Sequence, residues 1–445
     1  MGHLDGLVIF VKDGVPGDRV TAKIYRKKKD YAEARLLELL KPSSDRIPAP
    51  CPYFGYCGGC QWQHVDYKKQ LIFKKELIRE SLEHIAGLKD PIIHDVVPSK
   101  DIFAYRNKME FSFSDRRWFP PRELYKRDKE GDFALGLHVP GAFNKVIDIE
   151  GCLLQRKRGN RILREIKRFT KDCGIPVYGL KSHKGFWRFL TLRYSTAFDE
   201  WMVNIVTSQQ EGLDFLQPMT DILCRETGRI KTVVNNINDR KASIAVGDQE
   251  VLLSGDGYIK DMLGPFTFRI SANSFFQTNT LTATKLYEQV IKYSELNGNE
   301  TVLALYCGTG TIPIFLSTMA KYVIGLEISK SAVLDAEKNC KENGIHNCSF
   351  ICGDIRETLQ AITLRPEVLI IDPPRSGMHK DVLAKVLALS PQKIVYISCN
   401  PATMARDIGQ LVGNYELIEI QPFDMFPHTY HIEAIAKLAI RKKPV

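Results

Sequence analysis

Apolar and polar residues alternate in two different ways along this chain, and the change falls near residue 271. Beyond it, short β-branched runs are separated by stretches with helical spacing, a pattern typical of a parallel sheet covered by helices on both faces. Strands are predicted at 301–306, 322–328, 348–352, 367–372, 393–398, 414–421 and 431–440. Helices are predicted near 281–293, 311–320, 329–343, 379–389 and 401–412. The last two strands follow each other without a helix, which predicts an antiparallel hairpin at one edge of the sheet.

The first 270 residues favour β-structure in two blocks. Residues 4–44 alternate short apolar runs with turn residues and predict a small β-barrel, although the segment 31–40 fits a helix on propensity alone. Residues 66–87 place apolar side chains at helical spacing, which predicts an amphipathic helix with a basic outer face. Strand-like alternation returns over residues 186–270. Three domains are expected, with the bounds 1–44, 45–268 and 269–445.

The composition is that of an ordinary globular protein. The 445 residues include 62 Lys and Arg against 52 Asp and Glu, and the net charge of +10 mildly favours a polyanionic partner. No apolar run is long enough to span a membrane, and the N-terminus lacks the features of a secretion signal. The odd number of cysteines, eleven, indicates thiols in a reducing compartment rather than a disulfide framework. We therefore expect a cytoplasmic monomer without a membrane partner.

Three cysteines follow the spacing of a metal-binding loop. Cys51, Cys57 and Cys60 form a C-x5-C-x2-C set, and the glycines between them let the backbone wrap around a bound group. A four-thiolate site needs one more ligand, and Cys152 in a predicted turn is the best candidate. An iron–sulfur cluster fits these thiols, while zinc held by the same residues or with His64 is the alternative.

Residues 156–188 are rich in cations. They include eleven Lys and Arg against two Asp and Glu, interleaved with Phe169, Phe186 and Trp187. Cations with aromatic rings suit contacts to phosphates and stacking on bases. The alternative is a solvated helix face followed by a hairpin.

The segment 393–407 combines a short strand with a helix start. Residues 394–397 have the composition of a buried strand, and Asn400 followed by Pro401 is a typical helix N-terminus. Cys399 therefore lies at the carboxyl end of a strand, the edge where open α/β sheets bind ligands. Positive charge at the helix start is expected to lower the pKa of this thiol. Cys399 is a candidate nucleophile, and the alternative is a small buried hydrophobe.

Acidic residues follow three other predicted strands. A glycine turn at 308–310 after the first strand lets the backbone approach a ligand closely. Glu327 ends the next strand, where a carboxylate accepts hydrogen bonds from both hydroxyls of a ribose, as in NAD-binding proteins. Asp354 after the third strand is placed to reach an adenine amino group, and Asp372 lies at the mouth of the fourth. These acids favour a nucleoside-containing cofactor, although the glycine turn lacks the third glycine of the pyrophosphate fingerprint.

These motifs together resemble the RNA uracil-C5-methyltransferase family, which includes tRNA and 23S ribosomal RNA enzymes. Further matches are Phe275-Phe276-Gln277, DPPRSG at 372–377, SCNP at 398–401 and the segment from Asp424 to Glu433. The resemblance implies a multidomain α/β and β protein with a C-terminal class I S-adenosylmethionine-dependent methyltransferase domain, whose sheet is Rossmann-like and seven-stranded. It also implies a TRAM-like N-terminal β-barrel and a central α+β domain that carries a [4Fe–4S] cluster. The cysteine layout is more similar to the ribosomal RNA members, so 23S rRNA is the expected substrate.

The resemblance also implies roles for individual residues. Contacts to S-adenosylmethionine are expected from Gln277, Tyr306, Thr311, Glu327, Asp354 and Asp372, with Thr311 standing where some members carry Asn. Cys51, Cys57, Cys60 and Cys152 would hold the cluster. Cys399 would add to C6 of a uracil that has left its stack, and Glu433 would remove the C5 proton after methyl transfer. Glu433 lies in an apolar strand, so burial is expected to raise its pKa, unless it faces water on an edge strand.

Other functions share parts of this pattern. Amino-group N-methyltransferases have a D-P-P motif, but Arg375 stands where those enzymes carry an aromatic residue. Uracil methylation in tRNA and cytosine-C5 methylation would use the same thiolate chemistry. A non-catalytic iron–sulfur RNA-binding protein would need only the thiols.

Overall fold

The N-terminal residues form a four-stranded sheet. The computed structural model describes residues 2–4, 6–126, 132–209, 215–242 and 244–441 of the chain. The sheet contains β1 (Gly2–Leu4), β2 (Leu7–Lys12), β3 (Arg19–Lys27) and β4 (Tyr31–Lys41), in the spatial order β1-β2-β4-β3. The segment 31–40, which sequence patterns left open between helix and strand, is therefore a strand. Closure of this sheet into a TRAM-like barrel stays a prediction.

A second, larger sheet forms the middle of the chain. Its elements and the helix before it are α1 (Tyr67–Ile85), β5 (Lys108–Ser114), a 3-10 helix (Pro121–Lys126), β6 (Ala134–Val139), β7 (Ala142–Asp148), α2 (Lys157–Asp172), β8 (Trp187–Ser195), β9 (Glu200–Thr207), α3 (Leu216–Thr227), β10 (Ile230–Ile237) and β11 (Gln249–Ser254). The seven strands run in the order β11-β10-β9-β8-β5-β6-β7. A separate hairpin of β12 (Tyr258–Leu263) and β13 (Phe266–Ser271) leads into the C-terminal domain.

The basic stretch 156–188 divides into an exposed and a buried part. The outward face of α2 carries five exposed cations three or four residues apart, namely Lys157, Arg161, Arg164, Arg168 and Lys171. Phe186 and Trp187 are 0% exposed, with ring centroids 4.9 Å apart. The predicted base-stacking role of these two rings is wrong, because Trp187 begins β8, which is buried along its whole length, and Phe186 directly before it belongs to the same core.

The C-terminal domain alternates helices and strands as predicted. Its elements are α4 (Thr280–Ser294), β14 (Thr301–Leu305), α5 (Thr311–Leu316), β15 (Tyr322–Glu327), α6 (Lys330–Glu342), β16 (Cys348–Cys352), α7 (Ile355–Ala361), β17 (Val368–Ile371), α8 (Lys380–Leu389), β18 (Lys393–Ser398), α9 (Pro401–Leu411), β19 (Tyr415–Phe423) and β20 (Glu433–Ile440). Only α7 lacks a sequence-based counterpart. It is two turns long and depends on its cap, Asp354, whose carboxylate accepts a hydrogen bond from the Arg356 backbone at 2.9 Å. Among the described residues, no helix is long and apolar enough to cross a membrane.

The sheet of this domain runs in the order β16-β15-β14-β17-β18-β20-β19. The first five strands of that order pair in parallel, and β20 lies antiparallel between β18 and β19. The predicted hairpin is confirmed, and its second strand lies inside the sheet rather than at the edge. This arrangement places the start of β20 beside the carboxyl end of β18.

Residues before the middle sheet pack against the C-terminal domain. Ile78 and Leu82 of α1 are buried in one core with Ile408 of α9. Residues 92–97 run along β19 and exchange backbone hydrogen bonds with it, including His94 N to Ile420 O at 2.9 Å. The predicted bounds assign α1 and residues 92–97 to the middle domain. Their apolar side chains are nevertheless buried against the C-terminal domain.

An ion pair inside the protein joins α1 to the connection between β19 and β20. Lys74 Nζ lies 2.6 Å from Asp424 Oδ1, and both side chains are 0% exposed. The same ammonium group donates to the carbonyl of Phe426 at 3.0 Å. Because both charges are removed from water, losing one partner leaves the other unpaired at a high cost.

We predict that Lys74→Met lowers the free energy of unfolding by about 3–5 kcal/mol, because Asp424 is left as a buried unpaired charge in a site of unchanged volume. Chemical denaturation followed by circular dichroism measures this loss. Lys75→Met is the matched control, since Lys75 pairs with Asp95, whose side chain is 98% exposed, and it should change stability little. Equal losses in the two variants would contradict the prediction.

Candidate active site

The carboxyl ends of four neighbouring strands meet at one edge of the C-terminal sheet. Tyr306 directly follows β14, Asp372 directly follows β17 and Cys399 directly follows β18. Glu327 is the last residue of β15. They surround a cavity of about 510 Å³. Six of the eight predicted cofactor and catalytic residues line it: Gln277, Tyr306, Glu327, Asp372, Cys399 and Glu433. The order of the parallel strands brings Tyr306, Glu327, Asp372 and Cys399 together. Glu433 joins them from the start of the antiparallel β20, and Gln277 from the segment before α4.

The glycine turn shapes one wall of this cavity. Tyr306 has a φ of +61°, and Gly308 and Gly310 have φ of +53° and +78°, so the chain bends sharply after β14. A side chain at Gly310 would lie 2.9 Å from the Cβ of Ala336, whereas one at Gly308 would meet nothing within 4 Å. The turn therefore packs tightly against α6 on one side and leaves its backbone open on the other.

Glu327 is held in place by two backbone amides. Its Oε2 accepts a hydrogen bond from Gly308 N at 3.0 Å, and its Oε1 accepts one from Ser329 N at 2.9 Å. Each carboxylate oxygen can accept at least one more hydrogen bond, and Glu327 lines the cavity. This geometry suits the paired hydroxyls of a ribose, the contact expected for this residue.

The other two predicted cofactor contacts, Asp354 and Thr311, do not line this cavity. Asp354 lines a neighbouring cavity of about 590 Å³ that shares Tyr306 and Pro374 with the first one. Its carboxylate pairs with the Arg356 guanidinium at 2.5 Å, which holds the pKa of Asp354 at about 2. Thr311 is not among the residues that line the 510 Å³ cavity, and its hydroxyl donates to Tyr287 Oη at 3.3 Å. Their contacts to a cofactor remain predictions.

Cys399 and Glu433 are neighbours because of the register between β18 and β20. Ser398 of β18 pairs with Ala434 of β20. Because the two strands are antiparallel, Cys399, which follows Ser398, lies next to Glu433, which precedes Ala434. Burial first, and then the charge of nearby Asp372, raise the pKa of Glu433 to about 8, while Arg375 lowers it. The expectation of a raised pKa is confirmed, and Glu433 does not face water, because its strand is internal to the sheet and its side chain is 6% exposed.

The pKa of the Cys399 thiol is raised, whereas the sequence predicted that it would be lowered. Its pKa is raised to about 11, first by burial and then by the charge of Glu433, while Arg375 lowers it. The predicted drop in pKa at the start of α9 is therefore wrong, because burial and the neighbouring carboxylates outweigh the effect of Arg375. Burial likewise raises the pKa of Asp372 to about 7.

Arg375 is a candidate site residue that sequence reasoning missed. It lines the cavity, and its positive charge lowers the pKa of both Cys399 and Glu433. Its backbone is fixed from α9, since Asn400 Nδ2 donates to its carbonyl at 3.0 Å. The DPPR motif could have indicated this residue, because it places a positive charge three residues after Asp372, at the carboxyl end of β17.

The four predicted cluster ligands line a separate cavity. Cys51, Cys57, Cys60 and Cys152 surround about 290 Å³ together with Arg106 and Lys108, whereas His64 is not part of the lining. Burial raises the pKa of Cys60 to about 11, and the neighbouring thiols of Cys152 and Cys51 raise it too, whereas Arg106 lowers it. Among the described residues, no group of three or more His, Cys, Asp or Glu side chains is arranged to hold a single metal ion.

Comparison with known proteins identifies the chain. A family described as tRNA (Uracil-5-)-methyltransferase matches residues 251–441. A relative from Chlorobaculum tepidum, described as an uncharacterized RNA methyltransferase, is 43% identical over 95% of this chain and 89% of its own length. One from Halalkalibacterium halodurans with the same description is 35% identical over 99% of this chain and 94% of its own. The chain belongs to the RNA uracil-C5-methyltransferase family.

A solved structure is similar to this methyltransferase along nearly the whole chain. The tRNA (uracil-54, C5)-methyltransferase of Pyrococcus abyssi, solved with S-adenosyl-L-homocysteine, is 28% identical and superimposes with a TM-score of 0.76. The superposition covers 98% of this chain and 96% of that one. The protein is an S-adenosylmethionine-dependent RNA uracil-C5-methyltransferase by family.

We predict that Glu433→Gln stabilises the methyltransferase in alkaline solution. The folded protein holds the Glu433 proton up to a pKa of about 8 against an ordinary 4.5. The stability associated with that proton is therefore full below pH 4.5 and is lost as pH rises to 8. Glutamine cannot ionise, so the variant should gain on the wild type across this window, by on the order of a few kcal/mol. Unfolding measured from pH 4 to 9 tests this, and a constant difference would contradict it.

Proposed function

We propose that this protein methylates C5 of a uracil in RNA through a covalent bond between Cys399 and C6 of the base. The adjacency of Cys399 and Glu433 in one cavity supports this proposal, since the reaction needs a nucleophile and a base within reach of neighbouring ring carbons. When bound, S-adenosylmethionine would supply an electrophilic methyl group. Gln277, Tyr306, Glu327 and Asp372 line the same space and would hold it.

In the first step the Cys399 thiol gives its proton to water and its sulfur bonds to C6, which moves the electrons of the C5–C6 double bond onto C5 and O4 of the ring. The guanidinium of Arg375 favours the thiolate and offsets negative charge that would otherwise build up among Cys399, Asp372 and Glu433. A cation at this position is needed because burial opposes the thiolate.

Methyl transfer leaves C5 carrying both a hydrogen and a methyl group. Glu433 then accepts the C5 proton, the C5–C6 double bond re-forms and the C6–S bond breaks, which returns the thiolate. With a pKa of about 8, the ionised form of Glu433 is a stronger base than an ordinary carboxylate, and the fraction of molecules that carry it rises as the pH approaches 8.

Ribosomal RNA of the large subunit is the substrate we propose, on the basis of the four-cysteine layout. Transfer RNA is the second candidate, because the structural neighbour from Pyrococcus abyssi acts on tRNA. The N-terminal sheet and the exposed cations of α2 are the surfaces we propose for the RNA backbone, since five cations on one helix face match the charge of phosphates. Mass spectrometry of 5-methyluridine in ribosomal and transfer RNA from a strain lacking the gene distinguishes the two.

We also propose that the four thiols hold a [4Fe–4S] cluster. Each thiolate of such a cluster binds a different iron, so the ligands surround a volume rather than converge on one ion. The 290 Å³ cavity has this form, and its two cations offset the charge of the thiolates. No step of the methyl transfer uses the cluster.

For the covalent mechanism, we predict that RNA containing 5-fluorouridine forms a denaturation-resistant complex with the wild type and with Glu433→Gln. Fluorine at C5 cannot leave as a cation, so the C6–S bond persists. With normal RNA, Glu433→Gln should accumulate a methylated adduct, because elimination needs the base. Cys399→Ala should form no complex in either case and should lose methyl transfer by at least about 1000-fold. Full turnover by Cys399→Ala would refute the mechanism.

For the cluster, we predict that protein purified without oxygen contains iron and sulfide in equal amounts, close to four of each. Cys57→Ser should lose most of both, as measured by elemental analysis and visible absorbance. Cys224→Ser is the matched control, since Cys224 is exposed and outside the cavity, and it should keep the full content. Stoichiometric zinc, or no metal at all, would contradict the proposal.

A further inference from the structure

The connection between β19 and β20, residues 424–431, contains strained backbone close to the site. We call these residues the strap. His428 in the strap has a φ of +66°, a left-handed conformation that costs a residue other than glycine roughly 1–3 kcal/mol. Such a conformation persists only where the surroundings fix it. The strap ends two residues before Glu433, and its residue Phe426 lines the catalytic cavity.

The loop that carries the cysteines supplies much of that fixation. The backbone amides of Gln61 and Trp62 both donate to the carbonyl of His428 at 2.9 Å. Gln61 directly follows Cys60, a residue that lines the thiol cavity. The His428 amide donates to Gln70 Oε1 at 2.9 Å, and its ring stacks on Phe103 with centroids 4.3 Å apart.

A second set of contacts also runs from the thiol cavity to the strap. Arg106 lines the thiol cavity, and its Nε lies 3.5 Å from Tyr105 Oη. The Tyr105 hydroxyl donates to the carbonyl of Pro427 in the strap at 3.3 Å. Two routes of direct contact therefore run from the thiol cavity to the strap, and the strap leads into the base.

We propose that His428 is a positioning residue, through which the cysteine loop holds Glu433 against C5 of the bound uracil. The inference rests on the proposed function, because it concerns the proton-removal step. Loss of the strap's conformation moves Glu433 and leaves Cys399, which directly follows β18, in place. The C6–S bond then still forms and the methyl group still reaches C5. The C5 proton has no acceptor, so the methylated protein–RNA adduct persists.

Two substitutions at His428 separate backbone conformation from side chain. Valine resists positive φ because it is β-branched, while asparagine tolerates it. We expect His428→Val to lower kcat about 10- to 100-fold, the range for a base displaced by about 1 Å, and to accumulate adduct carrying a labelled methyl group on denaturing gels. His428→Asn should accumulate little adduct and keep most of the wild-type kcat. The KM for RNA should change little in both.

Tyr105→Phe tests the second route and keeps the proposal falsifiable if His428→Val fails to fold. It removes one hydroxyl, so we expect the same adduct at a lower level. If both variants release product without adduct, or if His428→Val and His428→Asn behave alike, the inference is overturned. Glu433→Gln run in parallel separates the two levels: adduct from Glu433→Gln but not from the strap variants rejects only the inference, and no adduct from Glu433→Gln rejects the proposed role of the base.

Discussion

The register between β18 and β20 is the constraint on which the proposed chemistry depends. Antiparallel pairing of Ser398 with Ala434 makes Cys399 and Glu433 neighbours at the same end of adjacent strands. Side chains alternate between the two faces of a sheet, so a slip of one residue would turn Glu433 away from the cavity. The insertion of β20 between β18 and β19 serves this register, because a strand paired on both sides cannot slide without breaking two sets of hydrogen bonds.

Burial controls the electrostatics of the site. Asp372, Cys399 and Glu433 all have a raised pKa for the same leading cause, loss of contact with water. For Glu433 the result matches its proposed role as a base near neutral pH, whereas for Cys399 it opposes the thiolate that a nucleophile needs. Arg375 is the cation that works against both effects. The site thus combines groups that would repel one another if all were ionised, and a single positive side chain offsets part of that cost.

The parts of the chain that precede the catalytic domain are bound into it at several points. The buried pair of Lys74 and Asp424 fixes one end of the strap, and the cysteine loop fixes its middle. Residues 92–97 extend the sheet beside β19. Catalytic and thiol-bearing regions are consequently not independent modules, since the strap that ends at the base is hydrogen-bonded mainly by residues from the N-terminal part of the chain.

Local patterns along the chain were enough to predict the features that depend on neighbouring residues. Periodicity located every strand of the catalytic sheet, and the Asn400-Pro401 start signal located α9, because strand and helix signals repeat within a few residues. The sequence also placed Glu327, Asp372 and Cys399 at strand ends, which parallel strand order converts into a shared site. Features that depend on packing between distant parts of the chain became visible only in the folded protein. Folding buried Phe186 and Trp187, placed α1 on the catalytic domain, placed Asp354 in a second cavity and raised the pKa of Cys399. The physical reason is that burial and its electrostatic cost arise from elements far apart in the chain, which no local pattern records.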